Sequence, residues 1–280
     1  MKSINVLASV KKPNSEKGNL GDLFGYMLME YYAKQYSLSV NRLGVDDELV
    51  SDTFAVVGSI IHLCQKKAKL ASEDLKLIVL GCGLIKGDKM PQNDRIEYVG
   101  VRGPSTRELL PTKTEVMSDP GLLLSKMFPL PNNHKCDEVG YIIHSVDREH
   151  FFAMYPEARK NLINNYANYE DFLEQLSRYK YVVSSSLHGV IFCHAYNIPV
   201  CSIRVTDKII SDNFKYTDYY HSIGHTAFKA RQPIDEKTEF KQLVIDEWQP
   251  TKEKIASVQE RQEQVIRHAI ETFAIDGTQD

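Results

Sequence analysis

The chain has 280 residues, enough for a sizeable core and, at roughly 150 residues per domain, for two domains or one large α/β unit. Apolar residues make up 42 % and charged ones 25 %, which excludes disordered, collagenous and coiled-coil classes. Thirty-four Lys and Arg stand against 37 Asp and Glu, a net charge of −3, so no global basic field gathers nucleic acid or anionic lipid and any anion site must be local.

The longest apolar stretch, residues 77–85, holds two glycines and is far shorter than the roughly 20 residues of a spanning helix. Before Lys11-Lys12-Pro13 there is no apolar run of the kind a secretory signal needs, so none is expected. The five cysteines form no C-x-x-C pair. The reading is a reduced, cytoplasmic, zinc-free protein.

In chain order, short aliphatic runs end in small or polar residues and alternate with helical patterns, the rhythm of βα units around a parallel sheet. Strands are predicted over 4–10, over 53–57 ending at Gly58-Ser59, over 75–80 ending at Gly81-Cys82-Gly83, over 98–101 ending at Arg102-Gly103-Pro104, and over 114–117. Ligands of open α/β sheets sit beyond such carboxyl ends, where small residues permit close approach. The Pro/Asn-rich stretch between Lys126 and Glu138 reads as an interdomain linker. The organisation is therefore an N-terminal domain over 1–130, a C-terminal domain over 137–250, and an amphipathic helix over 251–280 packing back across both. The second domain restarts with a strand over 139–143, a helix over 168–178, a strand over 181–183, a helix over 190–196 and a strand over 198–203.

Four constellations stand at these strand ends. Asn19-Leu20-Gly21-Asp22 precedes a helix, where Asn and Asp serve equally as caps or as an anion and sugar-hydroxyl site. Arg102 is either a surface ion pair or a planar fork for carboxylate or phosphate. Asp119-Pro120-Gly121 is a turn signal, and Asp119 is read as architecture. Ser184-Ser185-Ser186-Leu187-His188-Gly189 is the most informative: serine hydroxyls and early helix N–H groups can cradle an anion, and a helix start lowers the pKa of His188. The competing reading of His188 is a cap on a buried turn. No Walker A, G-x-G-x-x-G, G-x-S-x-G or H-E-x-x-H motif occurs.

Taken in order, Asn19-x-Gly21-Asp22, Val57-Gly58-Ser59, Gly81-Cys82-Gly83, Val101-Arg102-Gly103-Pro104-Ser105-Thr106, Asp119-Pro120-Gly121, Ser184-Ser185-Ser186-Leu187-His188-Gly189 and Asp218-Tyr219 resemble the polysaccharide pyruvyl transferase family. The resemblance implies two Rossmann-like domains facing a cleft, similar to B-type glycosyltransferases. It also implies transfer of a pyruvyl group from phosphoenolpyruvate to a sugar of a surface polysaccharide or its precursor, as a cyclic ketal. By the same resemblance Arg102, His188 and, further on, Lys215 are linked to the donor, while the residues themselves point to His188 as the catalytic acid/base and to Ser185 and Ser186 as part of the donor's anion cradle. Many members carry Arg immediately before Leu-His-Gly, whereas this chain has Ser186.

Asn19, Asp22, His144 and Asp147, at predicted loop ends, are expected to meet the acceptor. No metal or cofactor beyond the phosphoenolpyruvate substrate is required. The expected acceptor is a sugar or a lipid-linked oligosaccharide, the latter implying a peripheral position at the inner membrane. A nucleotide-sugar glycosyltransferase and a non-catalytic glycan-binding protein are the alternatives.

Overall fold

In a computed structural model, residues 2–14, 18–209 and 213–276 are described. The first half runs β1 (Ser3–Leu7), α1 (Leu20–Ala33), β2 (Ser39–Leu43), β3 (Thr53–Ala55), α2 (Ile61–Leu70), β4 (Leu77–Leu80) and β5 (Ile96–Val101). It continues through α3 (Pro104–Glu108), β6 (Glu115–Val116) and α4 (Leu124–Met127). Its six strands pair in parallel in the order β2-β1-β3-β4-β5-β6, so the order reverses between β1 and β3. Parallel strands are covered on both faces, which is why Leu77-Ile78-Val79-Leu80 reads as one apolar run.

The second half runs β7 (Cys136–Ile142), α5 (Arg148–Met154), α6 (Tyr169–Ser177), β8 (Tyr179–Ser184) and α7 (Leu187–Ala195). Then come β9 (Val200–Arg204), α8 (Phe214–Ser222), β10 (Gln232–Pro233) and α9 (Phe240–Asp246), and α10 (Lys252–Asp276) follows. These four strands are also parallel, in the order β10-β9-β8-β7. The α/β class and the pair of parallel, Rossmann-like sheets are thus as expected from the sequence.

Three local readings change. Strand β2 was not foreseen, because an edge strand with the half-exposed sequence Ser39-Val40-Asn41-Arg42-Leu43 has no apolar run. Helix α7 begins at Leu187 rather than Val190, so Leu187-His188-Gly189 is its first turn instead of a turn before it. Helix α8 was also missed; its aromatic residues Tyr216, Tyr219 and Tyr220 are fully buried.

The halves share a core that runs without a break from Ile4 and Phe54 to Val182 and Val200. Helix α1 makes the join: Phe24 meets Phe192 edge-on at 5.8 Å and Tyr169 at 6.1 Å. At its first turn the Leu20 N–H donates to the Asn165 carbonyl and the Tyr169 hydroxyl donates to the Leu20 carbonyl. Helix α10 returns to the first half. Its Gln259 and Gln262 amides donate to the buried carbonyls of Leu122 (2.7 Å) and Asp119 (2.9 Å), while Ile266 and Ile270 are fully buried.

Candidate active site

The carboxyl ends of the two sheets face one cavity of about 150 Å³. The first half supplies Ser9, Asn19, Asp22, Ser59, Ile60, Ile85 and Arg102; the second supplies His144, Ser186, Leu187, His188 and Lys215. Ser9 follows β1 and Ser59 follows β3, so this is the switch point where open α/β sheets bind ligands. A larger groove of about 980 Å³, bordered by Lys2, Asp52, Lys76 and Phe273, lies at the opposite, amino ends of the strands and contains none of the motif residues.

His188 is placed by the start of α7 and pressed by α1. A β-carbon on Gly21 would lie 1.9 Å from its Nδ1, so only glycine leaves room for the ring. The imidazole stacks on Phe192 at 6.0 Å, and its Nε2 is buried without a hydrogen-bond partner. Burial, helped by Lys215, Arg102 and His144, pushes its pKa down to about 3. The direction agrees with the sequence reading, but the shift goes well past neutrality. At neutral pH these surroundings hold His188 as a neutral imidazole, not a poised acid.

Arg102 stands at the end of β5 but does not offer a free fork. Its Nε donates to Asp218 Oδ2 (3.1 Å), one terminal nitrogen to the Ser59 hydroxyl (2.7 Å) and the other to the Leu84 carbonyl (2.7 Å). Gly83 admits the guanidinium, since a β-carbon there would lie 2.3 Å from Cζ. Asp218 in turn accepts from the Thr106 N–H (2.8 Å) and hydroxyl (2.7 Å) at the start of α3. Three of the five guanidinium N–H groups are thus spent on a fully buried network that locks α8 to the β5 loop, and Arg102 also lines the cavity and lends it positive charge.

The motif residues gathered here fall within, or just beyond, the stretch 19–207 that matches the family model for polysaccharide pyruvyl transferase. The chain belongs to the polysaccharide pyruvyl transferase family. Among relatives, the succinoglycan biosynthesis protein ExoV of Rhizobium meliloti is 22 % identical over 231 residues, covering 80 % of this chain and 68 % of ExoV. An uncharacterised protein of Acanthamoeba polyphaga mimivirus is 27 % identical over 195 residues, covering 64 % and 66 %. Of solved structures, an uncharacterised Klebsiella pneumoniae protein aligns with TM-score 0.46 at 15 % identity, covering 84 % of this chain and 93 % of that one. MurG of Acinetobacter baumannii aligns with TM-score 0.43 at 9 % identity, covering 97 % and 99 %.

In this pyruvyl transferase family member the cavity's remaining titratable groups are Asp22, Lys215 and His144. Asn19 caps α1, accepting from the Gly21 N–H (3.2 Å), and lines the cavity as well, so both of its sequence readings have a physical basis. Burial lifts the Asp22 carboxyl to about 6 against the pull of Lys215 and Asn19. Lys215, on α8, falls to about 8 through burial and the fields of Arg102 and Arg231, opposed by Asp22 and Asp147. Among the described residues its ammonium has no ion-pair partner; it lies 5.5 Å from the Tyr216 ring centre. His144 is lowered by burial and by Lys215.

The serine run divides. Ser186 lines the cavity at the head of α7, where its side chain makes no capping bond, whereas Ser184 and Ser185 are structural. The Ser184 hydroxyl accepts from the Ser186 N–H (3.0 Å) and Ser185 Oγ accepts from the His144 N–H (3.0 Å). Asp147 is also behind the wall, accepting from the Thr206 hydroxyl (2.6 Å). Asp119 caps the turn at Gly121 (2.9 Å), as its motif indicated. Sequence reasoning gave no role to Asp218 or Ser59, although their motifs were visible, and missed Arg231 and Ser9.

Among the described residues no cluster of three or more His, Cys, Asp or Glu side chains could hold a metal ion, and no helix is long and apolar enough to cross a membrane.

Proposed function

We propose that this protein transfers the pyruvyl group of phosphoenolpyruvate to a polysaccharide or its precursor, forming a cyclic ketal on two sugar hydroxyls. The supporting observation is the convergence of His188, Lys215, Asp22 and the head of α7 on one small cavity between the sheets. Phosphoenolpyruvate carries a phosphate and a carboxylate, and Lys215, the first-turn N–H groups of α7 and the field of Arg102 suit that charge.

The chemistry uses this chain's own groups. The donor's methylene carbon takes a proton, one sugar hydroxyl attacks the adjacent carbon, the C–O bond to phosphate breaks, and the second hydroxyl closes the ketal. Of the two hydroxyl protons, one balances that given to the methylene and the other leaves with phosphate. His188 starts neutral, and the negative charge of a bound donor raises its proton affinity, so donor binding itself loads the acid. Asp22 accepts a hydrogen bond from an acceptor hydroxyl, since a carboxylate repels the donor but suits a sugar. The cytoplasmic setting, with the acceptor free or lipid-linked, belongs to the same proposal.

Incubation with phosphoenolpyruvate and a panel of galactosides, glucosides and mannosamine glycosides tests this reading. Phosphate release together with a glycoside carrying the ketal supports it. Turnover only with a nucleotide sugar, or glycan binding with no turnover on any donor, overturns it.

A further inference from the structure

Behind Lys215 lies a second cation that the sequence did not mark. Arg231, just before β10, is only 4 % exposed, and its guanidinium lies over the Tyr216 ring at 4.7 Å. Asn213, which precedes α8, fixes one edge: its Oδ1 accepts from Arg231 Nε (3.0 Å) and from the Arg231 backbone N–H. Nη1 is buried and has no hydrogen-bond partner. A buried charged donor left unpaired is costly, and such an atom in a native structure calls for an occupant.

The cations grouped around Tyr216 suit an anion. Tyr216 carries Arg231 on its ring, has Lys215 5.5 Å from its ring centre, and donates through its hydroxyl to the Ser185 carbonyl (2.7 Å) in the serine run before α7. Arg231 thus stands on the ring next to Lys215, which itself lines the cavity, and its field reaches both Lys215 and His144. Asp147, also buried and also with one unpartnered oxygen, is near enough to act on Lys215 but forms no ion pair with Arg231. Meanwhile Arg102, the arginine that lines the cavity, has one N–H on each of its three nitrogens engaged.

We propose that Arg231 is a donor-specificity residue, its free Nη1 completing with Lys215 a two-cation subsite for the second anionic group of a phosphorylated carboxylate. The inference rests on the phosphoenolpyruvate reading for the identity of that ligand, whereas the anion subsite itself does not. A donor with two anionic groups needs two cationic contacts at once, and both cations pack on Tyr216, Lys215 at 5.5 Å and Arg231 at 4.7 Å from its ring centre.

The test is calorimetric titration of the full chain with inorganic phosphate and, separately, with phosphoenolpyruvate. For the wild type and for Arg231→Gln and Arg231→Lys, the titrations are set beside thermal melts and steady-state kinetics. A lost charge-assisted bond predicts about 10- to 100-fold weaker binding of phosphoenolpyruvate by Arg231→Gln. Its donor KM should rise more than its kcat falls, and Arg231→Lys should recover part of the affinity. If Arg231→Gln does not fold, Arg231→Lys carries the measurement and should bind more weakly than wild type. Folded variants that bind both ligands within twofold of wild type overturn the proposal. Wild-type binding of inorganic phosphate that depends on Arg231, with no binding of phosphoenolpyruvate, leaves the subsite standing and overturns the donor reading instead.

Discussion

Gly21 on α1 and His188 on α7, one from each half of the molecule, occupy adjoining space, and the imidazole fills the place where a Gly21 side chain would be. The Asn-x-Gly-Asp and Leu-His-Gly motifs are therefore a single packing unit, separated by more than 160 positions of sequence but touching in the fold. A change at Gly21 is a change at His188.

This contact gives the first prediction. In a helix, Gly to Ala ordinarily gains up to about 1 kcal/mol, and Gly25, whose added β-carbon would find its nearest neighbour at 3.7 Å, should show that gain as Gly25→Ala. Gly21→Ala should do the reverse, because overpacking costs about 1 to 3 kcal/mol and the ring is backed by Phe192. Paired thermal melts should move in opposite directions, and only Gly21→Ala should lose turnover.

His188→Gln should lower turnover by about 10²- to 10⁴-fold, the usual range for loss of an acid/base group. Its Nε2 has no partner, so no native hydrogen bond at that atom is lost, and the melting temperature should change little. A folded variant that keeps more than about a tenth of wild-type turnover excludes an essential role.

Arg102 and Asp218 should behave as one unit. Removing either partner leaves the other buried and unpaired, at a cost of about 3 to 5 kcal/mol. Asp218→Asn and Arg102→Lys should each lower the melting point strongly, and in a double-mutant cycle the combined loss should be well below the sum. Additive losses would show that the two side chains act separately.

The Asp22 carboxyl gives a pH signature. Its pKa is higher folded, about 6, than its ordinary value of 3.8, so folding takes up a proton between these values. Its contribution therefore favours the native state at low pH and declines as pH rises from about 4 to 6. Asp22→Asn should flatten that part of the stability curve and raise stability at pH 7, while impairing acceptor use. A melt profile indistinguishable from wild type across this range would contradict the buried carboxyl.

Much of this architecture was legible because buried parallel strands write themselves as apolar runs and end in small residues. The ends of β4, β5 and β8 were readable for that reason, and with them Arg102 and His188. What Arg102 does was not readable. Its partners Ser59, Leu84 and Asp218 lie far along the chain in both directions, and nothing local distinguishes an arginine turned inward from one facing a ligand. Similarly, Ser185 and Asp147 carry the right chemistry for a site but spend it on His144 and Thr206. Arg231 sits among ordinary polar residues and gains meaning only from Tyr216 beneath it.

Helix α10 bears on how the chain is made as well as on what it becomes. Phe273 meets Phe54 of β3 edge-on at 5.7 Å, and the ammonium of Lys2, the residue before β1, donates to the Phe273 carbonyl, joining the start of the first sheet to α10. A nascent chain that stops short of residue 252 lacks Ile255, Ile266 and Ile270 and leaves the carbonyls of Asp119 and Leu122 without their glutamine donors. During synthesis the first sheet therefore emerges well before the helix that seals it, and its α10-facing side is exposed to aggregation or chaperone capture until α10 has been made.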